Sequence, residues 1–431
     1  MELLAIIVLF SVCAVSVFRP PWAFALIILL FPLKQVIQAL CPAFITQLGA
    51  ESVNYIVATI SLMASVHTII YKKEGFANWM NHAMIATIAL YVWSVITIIW
   101  SPGGKDGLGV ILGQLPYFFL IIIISPLLIR DINDLKISLQ VLLWIGILLA
   151  LAIIVSPEFT NVHGRIALNL GSYRSNTLAI GELGGLLILI GSTLRKGVIP
   201  GIGILIRMLA IVLGAVVAIK AGSRGQFFVA VLVSVTFIPI SAPVRNLFNF
   251  LAAIFVVLFV LISASYLLST QLEGFAAKRF STEEILSGAS STDTRLSNLY
   301  VLFAAYAANP ISIFIGLGCN AFSALPEASG QPYSHILFAD AVCELGIPGM
   351  IFMGLVFWLG SRSTFDLLKF YNWEPTKRCV LASMGALIAS QTLLANKQGS
   401  LWGIPILFPI LIVMVRVWLN ERDSEPNEVE E

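Results

Sequence analysis

Apolar runs broken by short polar stretches fill most of this 431-residue chain. They lie near 3–18, 22–40, 53–71, 83–100, 110–129, 137–155, 178–194, 202–219, 227–240, 249–267, 337–360, 380–395 and 404–419. A helix needs about 20 apolar residues to cross a bilayer. The chain is 58% hydrophobic and 11% charged, where a soluble domain carries roughly a quarter charged residues. The runs therefore predict an all-α polytopic membrane protein, a bundle of about 12–13 transmembrane helices. The first run, MELLAIIVLFSVCAVSVF, lacks the basic lead of a cleaved signal and reads as the first span. Only Arg19-Pro20-Pro21 separates it from the second, which leaves the count at twelve or thirteen and the side of the N-terminus open. The expected organisation is helices with short loops over 1–267, one large outer loop over 268–336 that contains an amphipathic helix, C-terminal helices over 337–419, and an acidic tail over 420–431.

Basic residues set the orientation, because cytoplasmic loops carry the excess of Lys and Arg. Counting back from the C-terminus, every second loop is basic: Arg416/Arg422, Arg362/Lys369/Lys377/Arg378, Arg245, Arg195/Lys196/Arg207, Arg130/Lys136, Lys72/Lys73 and Arg19. That face reads as cytoplasmic. Lys34 lies inside a run, and so does Glu182 in AIGELGGLLIL; whether the two pair is open. The other basic residues fall on the outer face: Lys105, Arg165, Arg174, Lys220, Arg224, Lys278, Arg279, Arg295 and Lys397. Singly, each reads as well as a side chain snorkelling to lipid headgroups. As a set they point to an anionic ligand, and the planar fork of arginine suits phosphate.

Three stretches carry candidate chemistry. In AGSRGQFF (221–228), Gly222 and Gly225 flank Ser223-Arg224 at the start of a span. Glycine lets backbone approach a ligand, and a helix N-terminus attracts anions; an ordinary interfacial turn is the competing reading. In TDTRLSNLYVLFAAYAANP (292–310), Leu296, Leu299, Tyr300, Phe303 and Tyr306 have helical spacing, with Asn298 inside and Pro310 at the end. This helix is expected to lie in the interface or on the bundle, with Arg295 in its first turn, where a cation opposes the helix dipole unless an anion attends it. A surface ion pair with Asp293 or Glu284 would explain Arg295 equally. In YSHILFADAVCELGIPG (333–349), Asp340 and Glu344 share one helical face. That face must look into the bundle or a wet cavity, with His335 on the turn above and a kink at Pro348. GLGCNAF (316–322) reads as a loop. The cysteines and histidines form no metal-type spacing, and no HExxH, P-loop or GxGxxG pattern occurs. No metal, cofactor or nucleic acid is therefore expected.

The Ser-Arg-Gly turn, the arginine ahead of an Asn-Pro…Gly-x-Gly stretch, and the histidine entering ELGIPG resemble the bacterial O-antigen ligase and polymerase superfamily. In that family a histidine, followed usually by Asn, Ser or Gln, precedes nine residues and GxxG. Here His335 is followed by Ile336, residues 337–345 and Gly346-Ile347-Pro348-Gly349, so the spacing matches and Ile336 departs. The resemblance covers roughly 220–360. It implies a metal-independent, inverting GT-C-type glycosyltransferase of the bacterial inner membrane, working at the periplasmic face. The implied donor is an undecaprenyl-diphosphate-linked glycan. The acceptor is lipid A–core for a ligase or a second lipid-linked glycan for a polymerase, with the ligase slightly favoured. Arg224 and Arg295 would stabilise the departing diphosphate, and His335 would orient or deprotonate the acceptor hydroxyl. Lys220, Ser223, Gly225, Arg279, Asp340 and Glu344 would bind substrate. A transporter of lipid-linked glycan or small solutes is the rival, and it would show internal repeats that this sequence lacks.

Overall fold

The computed structural model describes residues 2–41, 44, 47–71, 75–162, 165–170, 173–174, 177–195, 198, 203–242, 251, 255, 289–328, 331, 333–398, 400–403 and 406–424. The fold is all-α, and 83% of the described residues are helical. Apart from Leu251 and Phe255, the run at 249–267 lies outside the described residues, as does the basic pair Lys278/Arg279. Among the described residues, seven helices are long and apolar enough to cross a membrane, or eight if a bent pair counts as one span. The chain is thus a multi-pass membrane protein. The difference from the thirteen runs has three sources. The run at 249–267 is largely outside the described residues. The run at 22–40 is bent by 80°. The runs at 3–18, 83–100, 178–194 and 404–419 form helices of only 16 or 17 residues.

The chain divides into two compact units. Unit 1 comprises 1–75, 128–286 and 367–390. It contains α1 (Glu2–Phe18), α2 (Pro20–Ile28), α3 (Leu30–Leu40), α4 (Gln47–Tyr71), α7 (Ile132–Val155), α8 (Thr177–Thr193), α9 (Gly203–Lys220) and α10 (Arg224–Ser241). Pro20 and Pro21 open α2 where their missing donors cost nothing. Asp131 caps α7 by accepting the Asp134 amide at 2.8 Å. The almost wholly buried α8 packs on α9 and α10. Its approach to α9 is glycine-to-glycine: a Cβ on Gly184 would stand 2.5 Å from the Gly214 carbonyl, and one on Gly214 would stand 2.6 Å from that of Gly184. Small residues of this kind let membrane helices close up. The charge that acts on Lys34 is that of Glu51, at the start of α4.

The polar separator at 156–177 holds an antiparallel meander that the run pattern does not announce: β1 (Phe159–Val162), β2 (Arg165–Leu170) and β3 (Tyr173–Arg174). Its signal was present in the two-residue, glycine-containing spacers His163-Gly164 and Gly171-Ser172 between strand-like segments.

Unit 2 comprises 76–127, 287–366 and 391–431. It holds α5 (His82–Thr97), α6 (Gly104–Phe118), α11 (Ala289–Ala308), α12 (Pro310–Ile315), α13 (Leu337–Phe370) up to Asp366, the end of α14 (Pro375–Gln398), and α15 (Leu407–Asp423). Asn81 caps α5 through the amides of Ala83 and Met84, and its own amide reaches the Ile412 carbonyl of α15 at 3.2 Å. Arg416 of α15 is fully buried and donates to the carbonyls of Ala77 and Pro126.

Candidate functional site

In unit 1 the Ser-Arg-Gly turn joins α9 to α10. Gly222, at φ +65°, ends α9: its amide bonds to the Ile219 carbonyl, and the Ser223 amide bonds to that of Ala218. This is a Schellman closure, which places glycine at that position for backbone reasons. Lys220 occupies the last turn of α9, where a cation suits the dipole. Ser223 stands at the N-cap of α10, with Arg224 and Gly225 in its first turn. The turn is pressed onto α8: a Cβ on Gly181 would fall 2.5 Å from that of Ser223. Gln226 also donates to the Leu178 carbonyl at 2.8 Å. Arg165 of β2 lies over Gly222, its Cγ 2.9 Å from where a Cβ would stand. Nothing in the sequence singles out Arg165 from the other basic residues of the loops. The meander puts it beside Arg224's turn.

In unit 2 the site is built around the start of α13. Gly346 is non-helical, at φ 65° and ψ −155°, and Pro348 follows. Proline has no N–H to return to the Glu344 carbonyl. The glycine-rich loop takes up the released acceptors: the Leu317 amide bonds to the Cys343 carbonyl and the Gly318 amide to that of Glu344, each at 2.8 Å. The two backbones nearly touch, and a Cβ on Gly316 would lie 2.1 Å from the Glu344 carbonyl oxygen. The Glu344 carboxylate then accepts the amides of Asn320 at 3.1 Å and Phe322 at 3.0 Å. Trp93 and Trp100 donate to the Leu345 and Gly316 carbonyls from α5 and the turn after it. The fold gives Glu344 an internal task, tying the 316–322 loop to α13.

Asp340 has a similar inward role. Ser334 donates to its Oδ1, and the Ile336 amide donates to the Ser334 hydroxyl at 3.1 Å. The Asp340 Oδ2 is buried without a partner of ordinary hydrogen-bond geometry, although the Leu401 amide acts on the carboxyl. Between Ser334 and Ile336 stands His335, at φ +69°. The left-handed region is uncommon for a residue other than glycine, although histidine enters it more readily than most. The half-buried ring meets Tyr333 edge-on at 4.3 Å, and Nε2 lies 3.4 Å from Gln331 Oε1. Burial, and then the charge of Arg295, push the imidazole below its ordinary pKa.

Arg295 sits on α11, which begins at Ala289. It therefore occupies the second turn rather than the first, and the dipole argument for a bound anion loses force, since that field fades within a turn. The apolar residues of α11 divide between two faces. Leu299, Leu302 and Tyr306 pack into a cluster with Phe322, Ala339 and Cys343, while Leu296, Tyr300 and Phe303 are exposed. α11 is not among the candidate spans, and an exposed apolar face on such a helix suits a bilayer interface.

The sequence candidates thus fall in two places. His335, Arg295, Asp340 and Glu344 belong to unit 2; Lys220, Ser223, Arg224 and Gly225 belong to unit 1. Arg279 lies outside the described residues. Among the described residues no group of three or more His, Cys, Asp and Glu is placed to hold a metal. No protein-family model matches the chain, and no curated protein matches it.

Proposed function

We propose that this protein is a metal-independent, inverting glycosyltransferase of the bacterial inner membrane. It moves a glycan from undecaprenyl diphosphate to an acceptor hydroxyl at the periplasmic face, with lipid A–core the first acceptor to test. The observation that carries the reading is His335 itself: its half-buried ring stands edge-on to Tyr333 on a left-handed turn, and burial first, then the charge of Arg295, lower its pKa. A neutral imidazole at working pH is a competent base, and a guanidinium whose charge reaches it is suited to a diphosphate. The resemblance of His335…Gly346-x-x-Gly349 to the ligase and polymerase pattern supports the same chemistry. Arg224 enters as a second phosphate-binding candidate from the sequence alone.

In the proposed step the acceptor oxygen attacks the anomeric carbon as the bond to the diphosphate breaks. The electron pair leaves with the diphosphate, whose growing charge Arg295 stabilises. His335 takes the hydroxyl proton. One displacement inverts the anomeric centre. The Ser334–Asp340 tie holds the turn that carries the imidazole, so Asp340 is a positioning group.

The test is a transfer assay with purified protein and an undecaprenyl-diphosphate glycan, with a chelator present. One tube contains lipid A–core and the other only more donor. Glycan on lipid A–core supports a ligase, and longer lipid-linked chains a polymerase. No transfer by well-folded protein in either tube would sink the reading and turn attention to transport.

A further inference from the structure

The inner face of α11 carries a polar group that the fold does not use. Asn298 follows Arg295 by three residues, so the two share a face about one turn apart. Four residues further, Leu302 lies in the apolar cluster with Ala339 and Cys343, and Leu299 and Ile336 pack against that cluster. Asn298 thus stands between the arginine whose charge reaches His335 and the leucine that packs on the start of α13. It is 7% exposed, and its Nδ2, sealed from solvent, has no hydrogen-bond partner. A buried donor left unmade is costly, and leucine would fill the position without that cost. Among the described residues of unit 2, and with the Leu401 amide acting on the Asp340 carboxyl, the buried side-chain polar atom left without a partner is Asn298 Nδ2. Unsatisfied groups are rare enough in native proteins to call for a specific reason, and this one, a turn from Arg295, points to a ligand.

We propose that Asn298 contacts the substrate, its Nδ2 donating to a phosphate oxygen of the lipid diphosphate that Arg295 binds. The donor is complementary to an acceptor oxygen, and the neighbouring guanidinium favours one that carries negative charge. This inference rests on the reading of Arg295 as the diphosphate-binding residue.

The experiment titrates glycan-free undecaprenyl diphosphate against the full chain in detergent, as wild type, Asn298→Leu, Asn298→Asp and Arg295→Ala. Thermal unfolding is recorded for each. Loss of a hydrogen bond to a charged oxygen should weaken binding about ten- to hundredfold in Asn298→Leu. Its melting temperature should stay level or rise, because the orphan donor is gone; a purely structural asparagine would not separate the two readouts in this way. Asn298→Asp, with a like charge facing phosphate, should bind more weakly still. Wild-type binding by both Asn298 variants alongside weakened Arg295→Ala would overturn this inference and leave the proposed function standing. No binding by the wild type would overturn both. Should Asn298→Leu lose stability, the nearly isosteric aspartate variant decides; loss of stability in both variants would make the residue structural and end the proposal.

Discussion

Glu344 Oε2 accepts the backbone amide of Asn320 at 3.1 Å, while the other oxygen of the same carboxylate holds Phe322. Asn320 itself is left-handed, at φ 56°, so one side chain fastens the turn that carries this unfavourable backbone. Hydrogen bonds to a charged group contribute about 1.5–3 kcal/mol each. Glu344→Gln keeps one acceptor and loses the charge, so it should unfold at a clearly lower temperature. Glu344→Ala should fall further. Donor KM should change little at temperatures where each variant is folded. A raised KM with an unchanged melting temperature would return Glu344 to the ligand.

The lowered pKa of His335 fixes the sign of a pH effect. The base must be neutral, so transfer is lost as pH falls through the folded-state pKa. That acid limb should lie below the ordinary histidine value of about 6.5. Removing the Arg295 charge takes away one of the two causes of the lowering. Arg295→Leu should therefore shift the acid limb of the residual activity upward, and Arg295→Lys should leave it near the wild-type position. Rate profiles across pH 4.5–8 would read this directly, and identical limbs for the three proteins would separate Arg295 from His335.

How far the sequence made this legible depended on whether the partners were local. Runs such as 137–155 became helices because a long apolar segment in lipid has few alternatives. The kink in ELGIPG was readable because proline and glycine act on their own backbone. The tie between Glu344 and the 316–322 loop was not, since its donors are backbone amides more than twenty residues away, and any residue has an amide. One clue was available: a proline at 348 leaves the carbonyl four residues earlier, that of Glu344, in need of a donor. The division of Arg224 and His335 between two units has no sequence signature at all. Neither does the orphaned amide of Asn298, which looks like any polar residue on an amphipathic helix.

Gly316 tests the backbone crossing. A Cβ there would meet the Glu344 carbonyl oxygen at 2.1 Å, with the residue held at φ +82°. The obstacle is main chain, so no side-chain rotation relieves it. Gly316→Ala should lose several kcal/mol, beyond the ~1 kcal/mol scale of an ordinary glycine replacement. Gly354→Ala on α13, where a Cβ would meet nothing within 4 Å, is the matched control and should be neutral or slightly stabilising. Comparable melting temperatures for the two would refute the crossing.

His335 has a backbone task and a ring task, and substitutions can separate them. Its left-handed conformation disfavours β-branched residues and is accepted by asparagine and glycine. His335→Asn should therefore melt close to the wild type, and His335→Gly likewise. His335→Val should lose about 1–2 kcal/mol through the backbone alone. All three lack the imidazole, so all three should lose about 10²–10⁴-fold in transfer rate if the ring is the base. The decisive variant is His335→Asn, which keeps the turn and removes the proton acceptor. Near-normal turnover by that protein, folded and bound to donor, would leave the histidine with its backbone task only and move the base elsewhere on the His335 loop.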